Sequence, residues 1–573
     1  METDATTASE LERRVAGLEL LAEVGLSLAS ERDPDRLIER ILLAAKEFCR
    51  ADGGTVYLAS DDELQFAVMR NDTMGLALGG STGNALDHLP RIPLFDVETG
   101  EPNTRNVAAF AANSRQTVNL ADAYRAEHFD FSGTKDFDAT TGYRSRSFLT
   151  IPMMNRAGRV IGVLQLINAR DPDCGEIVAF DPELQQLVEA MSAQAAVALD
   201  NQQLLAGQRH LLESFIQLIA EAIDSKSPYT GAHCERVPII TEWLAEAACK
   251  EESGPFADFD LDPGEWYELR IAAWLHDCGK ITTPAHVMDK ATKLHLIRDG
   301  IEVIEARFEA LKREVELEHL RSGGHSEDSA LKRSLEELDD EFALLARCNI
   351  GGEFLDVEDL ARIRRIAKRT WRCGSGRRPL LTAEETDLLC IARGTLSAEE
   401  RLVINGHMVQ TIRMLERLPF PRDLARVPEY AGGHHETLDG TGYPKGIYAA
   451  DMSVPARIMV IADVFEALTA SDRPYKDSKP LSETMLIMGR MKQRNHLDPD
   501  LFDLFVRSGV YKRYAARYME PEQIDAVDEA ALLALRPQPF ELPPPPERAE
   551  RWKSFLPEYQ QFVRVGAGET PGN

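Results

Sequence analysis

Seven residues between positions 233 and 463 have the types and surroundings that chemistry needs: His233, the pair His276-Asp277, His407, the pair His434-His435, and Asp463. Most are embedded in apolar helical sequence, where a bare imidazole or carboxylate is costly. Asp463 lies in Ile458-Met-Val-Ile-Ala-Asp-Val-Phe-Glu-Ala-Leu, with Val460, Val464 and Ala467 sharing its helix face. Burying that carboxylate unpaired would cost roughly several kcal/mol unless a cation or strong donors offset it. Imidazoles sharing two carboxylates are the donor set that a pair of first-row divalent ions takes, and the reaction such a pair supports is metal-assisted hydrolysis.

The two pairs stand in telling local sequence. His276-Asp-Cys-Gly-Lys280 follows the apolar helix Leu269-Arg-Ile-Ala-Ala-Trp-Leu, so the pair falls at a helix end where both side chains can face one centre. Gly279 permits close backbone approach there, and Lys280 adds a donor for a phosphoryl oxygen. Taken alone, this pair also reads as a structural histidine. His434-His-Glu436 is more specific. It is preceded by Gly432-Gly433 and followed by Asp439-Gly-Thr-Gly-Tyr-Pro444, a segment suited to two ions, or to one ion and the phosphate beside it. The glycines and Pro444 shape a loop that could bring Tyr443 against a ligand.

A chain of 573 residues exceeds what one core serves, which leads us to expect several units. The net charge of −29 argues against a nucleic-acid polymer or an anionic membrane as partner. An anionic substrate then needs a locally positive site, and bound metal ions would supply it. The eight cysteines include no Cys-x-x-Cys pair and read as free thiols of a reducing cytoplasm. The acidic start Met-Glu-Thr-Asp-Ala lacks a signal-peptide core, and no apolar run approaches the roughly 18 residues of a membrane span. A cytoplasmic location is the expectation.

The elements that must position the seven residues can be read in outline. Helix is expected from about Glu10 to Arg50, with Asp33-Pro34 starting a second segment. Strands are expected at Thr55-Val-Tyr-Leu, Leu64-Gln-Phe-Ala-Val, Phe148-Leu-Thr-Ile-Pro-Met-Met and Arg159-Val-Ile-Gly-Val-Leu-Gln-Leu-Ile, the last two joined by the turn Asn155-Arg-Ala-Gly. This is an α/β domain, a central antiparallel sheet with flanking helices, over about 10–200. Helix resumes at Asp181-Pro182-Glu183 and runs to Asp224 as a linker, either one signalling helix that pairs with its copy or two helices meeting near Gly207. An all-α domain is expected over 208–530, with a charge-rich helical insertion at 289–396. Within that insertion, Ile297–Leu320 and Ala330–Leu345 read as an antiparallel hairpin. A proline-containing tail, 536–573, reads as an extended strap and a disordered end.

The ordered motifs Tyr229-Thr-Gly-Ala-His233 with Arg236-Val237, His276-Asp-Cys-Gly-Lys280, Asn405-Gly-His407, His434-His-Glu436 with Gly440-Thr-Gly-Tyr-Pro444, and Ala462-Asp463 with Asp472-Arg-Pro-Tyr-Lys476 resemble the HD-GYP phosphodiesterases. That resemblance implies hydrolysis of cyclic di-GMP, or a related cyclic dinucleotide, to linear pGpG and in some members onward to GMP. It also implies a metal set of His233, His276, Asp277, His407, His434, His435 and Asp463, with Asp277 bridging two divalent ions (iron, manganese, cobalt, nickel or zinc) and Asp277 and Lys280 at the chemistry. A hydroxide shared by the two ions would attack phosphorus in line. Lys280, Arg473 and Lys476 are expected to hold phosphate oxygens, and Gly442, Tyr443 and Pro444 to line the nucleotide pocket. Two positions depart from the family. A glutamate that brings a third metal in some members is replaced by Tyr229, so two ions are expected. The acidic residue often found after the proline is absent, with Ala285 and His286 following Pro284.

In the first half, Thr141-Gly-Tyr-Arg-Ser-Arg-Ser-Phe-Leu-Thr-Ile-Pro followed by Val160-Ile-Gly-Val-Leu-Gln-Leu-Ile-Asn168 resembles a GAF domain, the small-ligand sensor of many signalling proteins. The cyclic-nucleotide motif of that family is altered here, with Ala169 after Asn168 and changed spacing at Phe180-Asp181-Pro-Glu183. A GAF that binds a small molecule and one that only dimerises both fit. The combined expectation is a GAF-regulated phosphodiesterase acting as a homodimer, with a protein partner for the insertion. Its rival is a catalytically silent receptor that uses the same fold to bind a cyclic dinucleotide or a protein.

Overall fold

The computed structural model describes residues 25, 31, 33–84, 89–96, 98–226, 233–326, 328–352, 354–470 and 479–545. Tyr229, Arg473 and Lys476, most of the helix expected before Asp33, and the tail from 546 onward lie outside the described residues. The chain divides into two compact units, Met1–Leu211 and Leu212–Asn573. No helix among the described residues is long and apolar enough to cross a membrane.

The first unit begins with α1 (Pro34–Cys49). Asp33 caps it by accepting from the N–H groups of Asp35 and Arg36 at 2.9 and 3.3 Å, and Pro34 sits in its first turn. Leu37, Ile38, Ile41, Leu42 and Ala45 recur on its buried face. Then come β1 (Ala51–Ala59), β2 (Glu63–Asn71), β3 (Leu76–Gly79), β4 (Ile92–Pro93), α2 (Val107–Ser114), β5 (Val118–Leu120), α3 (Ser132–Thr141), β6 (Phe148–Met154), β7 (Val160–Arg170) and β8 (Ile177–Val178). The strands form one antiparallel sheet in the order β3-β2-β1-β7-β6-β5, with β4 on β2 and β8 on β7. The β6–β7 turn forms where expected: Asn155 N–H donates to the Arg159 carbonyl at 2.9 Å and Gly158 takes φ +74°.

Helix α4 (Pro182–Asp224) is continuous over 43 residues, so of the two readings of this segment the single helix is the one realised. Gly207 has no neighbour within 4 Å that a side chain would meet, and glycine costs a helix interior about 1 kcal/mol relative to alanine. Val188, Met191, Ala195 and Leu199 on this helix enter the core of the first unit, together with Leu37 and Leu164. Ile216, Ala220 and Ile223 enter the core of the second. On another face Leu211, Phe215 and Leu218 remain 57%, 55% and 59% exposed.

The second unit contains α5 (His233–Cys249), α6 (Pro263–Leu275), α7 (Ala285–Met288), α8 (Ile301–Arg321), α9 (Ser329–Ile350), α10 (Val357–Ile366), β9 (Thr370–Cys373), β10 (Gly376–Pro379), α11 (Ala383–Leu389), α12 (Ala398–Asn405), α13 (His407–Arg417), α14 (Val427–Gly432), α15 (Val454–Thr469), α16 (Leu481–Gln493), α17 (Pro499–Arg507), α18 (Val510–Tyr518) and α19 (Glu529–Ala534). Its main core gathers Val237, Leu269, Ile458, Phe465 and Phe505. Helices α8 and α9 form the expected hairpin, and with α10 and α11 they enclose a separate core of Phe308, Leu345, Ile363 and Leu389. The purely helical reading of this stretch needs one correction. β9 and β10 pair as a hairpin, because Gly374-Ser-Gly376 supplies a turn with Gly374 at φ +63°. Beyond α19 the chain is extended and tied at Gln538, whose N–H donates to the Gln493 carbonyl and whose carbonyl accepts from Asn495 Nδ2, both at 2.8 Å.

Candidate metal centre

Each candidate ligand sits at or near a helix end, except one. His233 opens α5, His276 and Asp277 close α6, His407 opens α13, His434 and His435 follow α14, and Asp463 lies within α15. Capping defines several of these ends. Asp262 and Glu265 form a capping box with Pro263 at the start of α6, and Ser453 caps α15. The main core draws α5, α6 and α15 together, so residues far apart in sequence converge.

They converge as two quartets: His233, His276, Asp277 and Asp463, and His407, His434, His435 and Asp277, each with its ligand atoms within 4.8 Å of one another. Asp277 belongs to both. Its Oδ2 faces His233 Nε2 and His276 Nε2, each at 3.3 Å, while its Oδ1 faces His407 Nε2 at 3.4 Å and His434 Nε2 at 3.8 Å. Asp463 Oδ1 closes the first quartet at 3.3 Å from His233 Nε2 and 3.8 Å from His276 Nε2.

Backbone carbonyls orient three of the rings. Nδ1 of His276 donates to Ala273 at 2.7 Å, Nδ1 of His434 to Ala431 at 2.7 Å, and Nδ1 of His407 to Ile404 at 2.5 Å. A carbonyl only accepts, so the proton is on Nδ1 and each Nε2 presents a lone pair inward. His233 is held differently: its Nδ1 meets Glu466 Oε2, and Glu466 Oε1 accepts from Arg236 Nε at 2.6 Å. His233 Nε2 and His276 Nε2 then face each other at 3.4 Å with two carboxylates beside them. Lone pairs arranged this way call for a cation between them. Asp277 Oδ1, His407 Nε2 and His434 Nε2 are buried with no hydrogen-bond partner. This donor set fits divalent metal.

The protonation states agree with that fit. Burial, reinforced by His276, pushes His434 down to about 4, and burial with His434 and His407 nearby drives His435 the same way, so both are neutral donors. Burial alone would raise Asp277 and Asp463. Lys280 and the imidazoles around Asp277, and His233 and His434 around Asp463, outweigh it and keep both ionised. For His233, burial is outweighed by Glu466, Asp277 and Asp463, which raise it and surround the ring with negative charge.

Around the quartets lies a cavity of about 220 Å³ lined by Arg236, Lys280, Asn405, His435, Tyr443 and Asp463 among others. Lys280 Nζ reaches Asp277 Oδ2. Tyr443 stacks on His435 with centroids 4.9 Å apart and planes 16° apart. Gly442 and Pro444 do not line the cavity. Gly442 instead lets the loop close on itself, since a Cβ there would overlap Thr437 N and Glu436 Cα. Glu436, raised to about 7 by burial, is no ligand: its carboxylate accepts from the N–H groups of Lys445 at 2.7 Å and Ile447 at 3.1 Å and so pins the loop that carries Tyr443. Gly279 admits α13 rather than a ligand, because a Cβ there would overlap the His407 carbonyl and Thr411 N. His286 is exposed and stands in neither quartet. Glu466 escaped the reading of the sequence. Its signal is a charged residue one helical turn after Asp463 in an otherwise apolar stretch.

A GAF-domain profile matches residues 33–199, and an HD-domain profile matches 384–501. The HD match takes in His407, His434, His435 and Asp463. A 3′3′-cGAMP-specific phosphodiesterase 1 of Vibrio cholerae is 43% identical over 115 residues, covering 20% of this chain and 26% of that protein. A 3′3′-cGAMP-specific phosphodiesterase 3 of the same organism is 24% identical over 382 residues, 61% of this chain and 56% of that one. A cyclic di-GMP phosphodiesterase of Pseudomonas aeruginosa is 34% identical over 183 residues, 31% of this chain and 41% of its own length. The matched stretches thus span between about a quarter and just over half of these curated relatives. The chain carries a GAF domain followed by an HD domain.

Proposed function

We propose that this protein is a metal-dependent phosphodiesterase of cyclic dinucleotides, opening cyclic di-GMP or 3′,3′-cGAMP to the linear dinucleotide. The observation that carries the reading is the pair of quartets sharing Asp277, one carboxylate oxygen to each. His233, His276, Asp277 and Asp463 would hold one ion, and His407, His434, His435 and Asp277 the other. Such ions supply Lewis-acid charge to phosphoryl oxygens and acidify water. The chain's own residues do the rest. Asp277, Asp463 and Glu466 would repel a phosphodiester, and Arg236 and Lys280 do not balance them without bound cations. Lys280, at the cavity wall, can turn from Asp277 to a phosphoryl oxygen. Tyr443, braced by His435, offers an aromatic edge to a base. The block at 289–396 contributes none of the eight ligand positions and would serve regulation or a protein partner. The GAF unit would act on the HD unit through α4, whose exposed Leu211, Phe215 and Leu218 suit pairing with the same helix of a second copy.

The test is hydrolysis by the full-length protein loaded with manganese or iron and offered each cyclic dinucleotide. Linear product appearing with metal and absent after chelation is the expected result. A metal-loaded protein that binds the dinucleotide and never opens it would overturn the enzyme reading in favour of a receptor.

A further inference from the structure

His233 is the one ligand imidazole in the first quartet that a carboxylate, not a carbonyl, orients. Its Nδ1 meets Glu466 Oε2, and Glu466 is 1% exposed, so the contact is shielded from water. Arg236 Nε donates to the other oxygen at 2.6 Å, which fixes the plane of the carboxylate. Arg236 lies one turn along α5 from His233, and Glu466 lies one turn along α15 from Asp463. The three side chains therefore cross-brace the two helices at the level of the first quartet. Resting on the function proposed above, we infer that Glu466 is a positioning residue: it holds the proton on His233 Nδ1, aims Nε2 at the first metal position and makes that nitrogen a stronger donor. In the second quartet His407 and His434 lean on carbonyls instead, and among the described residues no carboxylate is seen to orient them. Outer carboxylates that orient ligand histidines typically change metal affinity about 10- to 100-fold when removed.

The consequence is an unequal pair of positions. The first, with Asp463, half of Asp277 and Glu466 behind His233, carries more negative charge than the second, with three imidazoles and the other half of Asp277. It is the one that Glu466 substitutions should weaken.

The measurement is Mn2+ binding by the full-length chain stripped with chelator, followed by equilibrium dialysis and electron paramagnetic resonance, with no substrate present. E466L, made together with R236L so that the guanidinium does not face a leucine, should weaken one of two Mn2+ ions 10- to 100-fold and leave the other within about threefold. E466Q keeps one oxygen able to accept from Nδ1–H but loses the charge and turns its amide toward the Arg236 N–H, so its affinity for that ion should fall between wild type and the double variant. E268Q alters a buried carboxylate that accepts from Arg426 N–H at 2.5 Å, away from the ligands, and should leave both ions unchanged. If the double variant does not fold, E466D, one methylene too short to hold both contacts, takes its place and should weaken the same ion. Wild-type affinity at both positions in the folded E466L/R236L or E466D protein would overturn the inference. Because binding is read without turnover, a wild-type protein that takes Mn2+ but opens no cyclic dinucleotide would sink the proposed activity and leave this role for Glu466 standing.

Discussion

Both units bury carboxylates, and they treat them in opposite ways. In the GAF unit Glu39 is satisfied within the chain: Arg70 pairs with it at 2.5 Å, Ser81 donates through both N–H and Oγ at 3.0 and 2.8 Å, and Thr82 adds a further bond. Asp52 likewise accepts from Thr73 at 2.8 Å, Tyr143 at 2.6 Å and Arg170. In the HD unit Asp277 Oδ1 and two imidazole nitrogens beside it are buried with no partner. A satisfied network tells of stability, and an unsatisfied one tells of something that must arrive. The first kind of cluster staples loops to a sheet, whereas the second has the donor set of a metal centre.

The severest break of that contrast is Asp277→Ala. It removes the one residue common to both quartets, and we expect more than about 100-fold loss of metal affinity, with hydrolysis abolished and helical content by circular dichroism kept. Full metal content in the variant would end the shared-ligand description.

Chelation of wild-type protein sharpens the same contrast. Calorimetry should show the HD transition falling on metal removal, by about 4 kcal/mol where the ion had been present at about a thousand times its dissociation constant. The GAF transition should not move. Equal shifts in both would mean that the orphaned atoms of the HD unit are not where the ions bind.

A smaller effect belongs to Glu39. Burial alone would raise its carboxyl, but bonds from Thr82, Arg70 and Ser81 outweigh this and hold it at about 2. Its folded-state pKa is depressed, so its contribution is complete above the ordinary value of 4.5 and fades as pH falls toward 2. Glu39→Gln should therefore cost on the order of 2 kcal/mol of GAF stability at neutral pH, with the gap to wild type closing between those two values in an acid denaturation series. A gap that stays constant through that window would show that the charge contributes nothing.

Smallest for the metal site is a flexible glycine-serine segment inserted at Gly207. Metal content and basal hydrolysis should stay within about twofold, since every quartet residue lies beyond Asp224. Only dependence on the GAF unit should vanish. A linker variant matching wild type in oligomeric state and GAF response would reduce α4 to a tether.

How much of this was readable in the residues alone follows from how each signal is written. The seven candidate ligands stood out because imidazoles and carboxylates are expensive in apolar helices, and the fold brings all seven together. Glu466 hid in plain view, because its partner His233 is 233 positions away and a lone glutamate in a helix usually faces water. Gly279 was read as permitting close backbone approach, and which backbone approaches, that of α13, is a contact that no local pattern encodes. The β9–β10 hairpin was audible in Gly374-Ser-Gly376 but was drowned by the charged helical pattern on either side. The α4 helix was legible as helix, and its continuity through Gly207 was decided by packing at both ends.

Gly279 also says something about robustness to mutation. The two halves of the candidate site meet where its single hydrogen faces the His407 carbonyl, and every other amino acid adds at least a carbon there. Any such change must push α13 outward and carry His407 away from Asp277, although the altered residue binds nothing. Position 279 is thus a weak point where one codon change can disable the centre with every ligand intact.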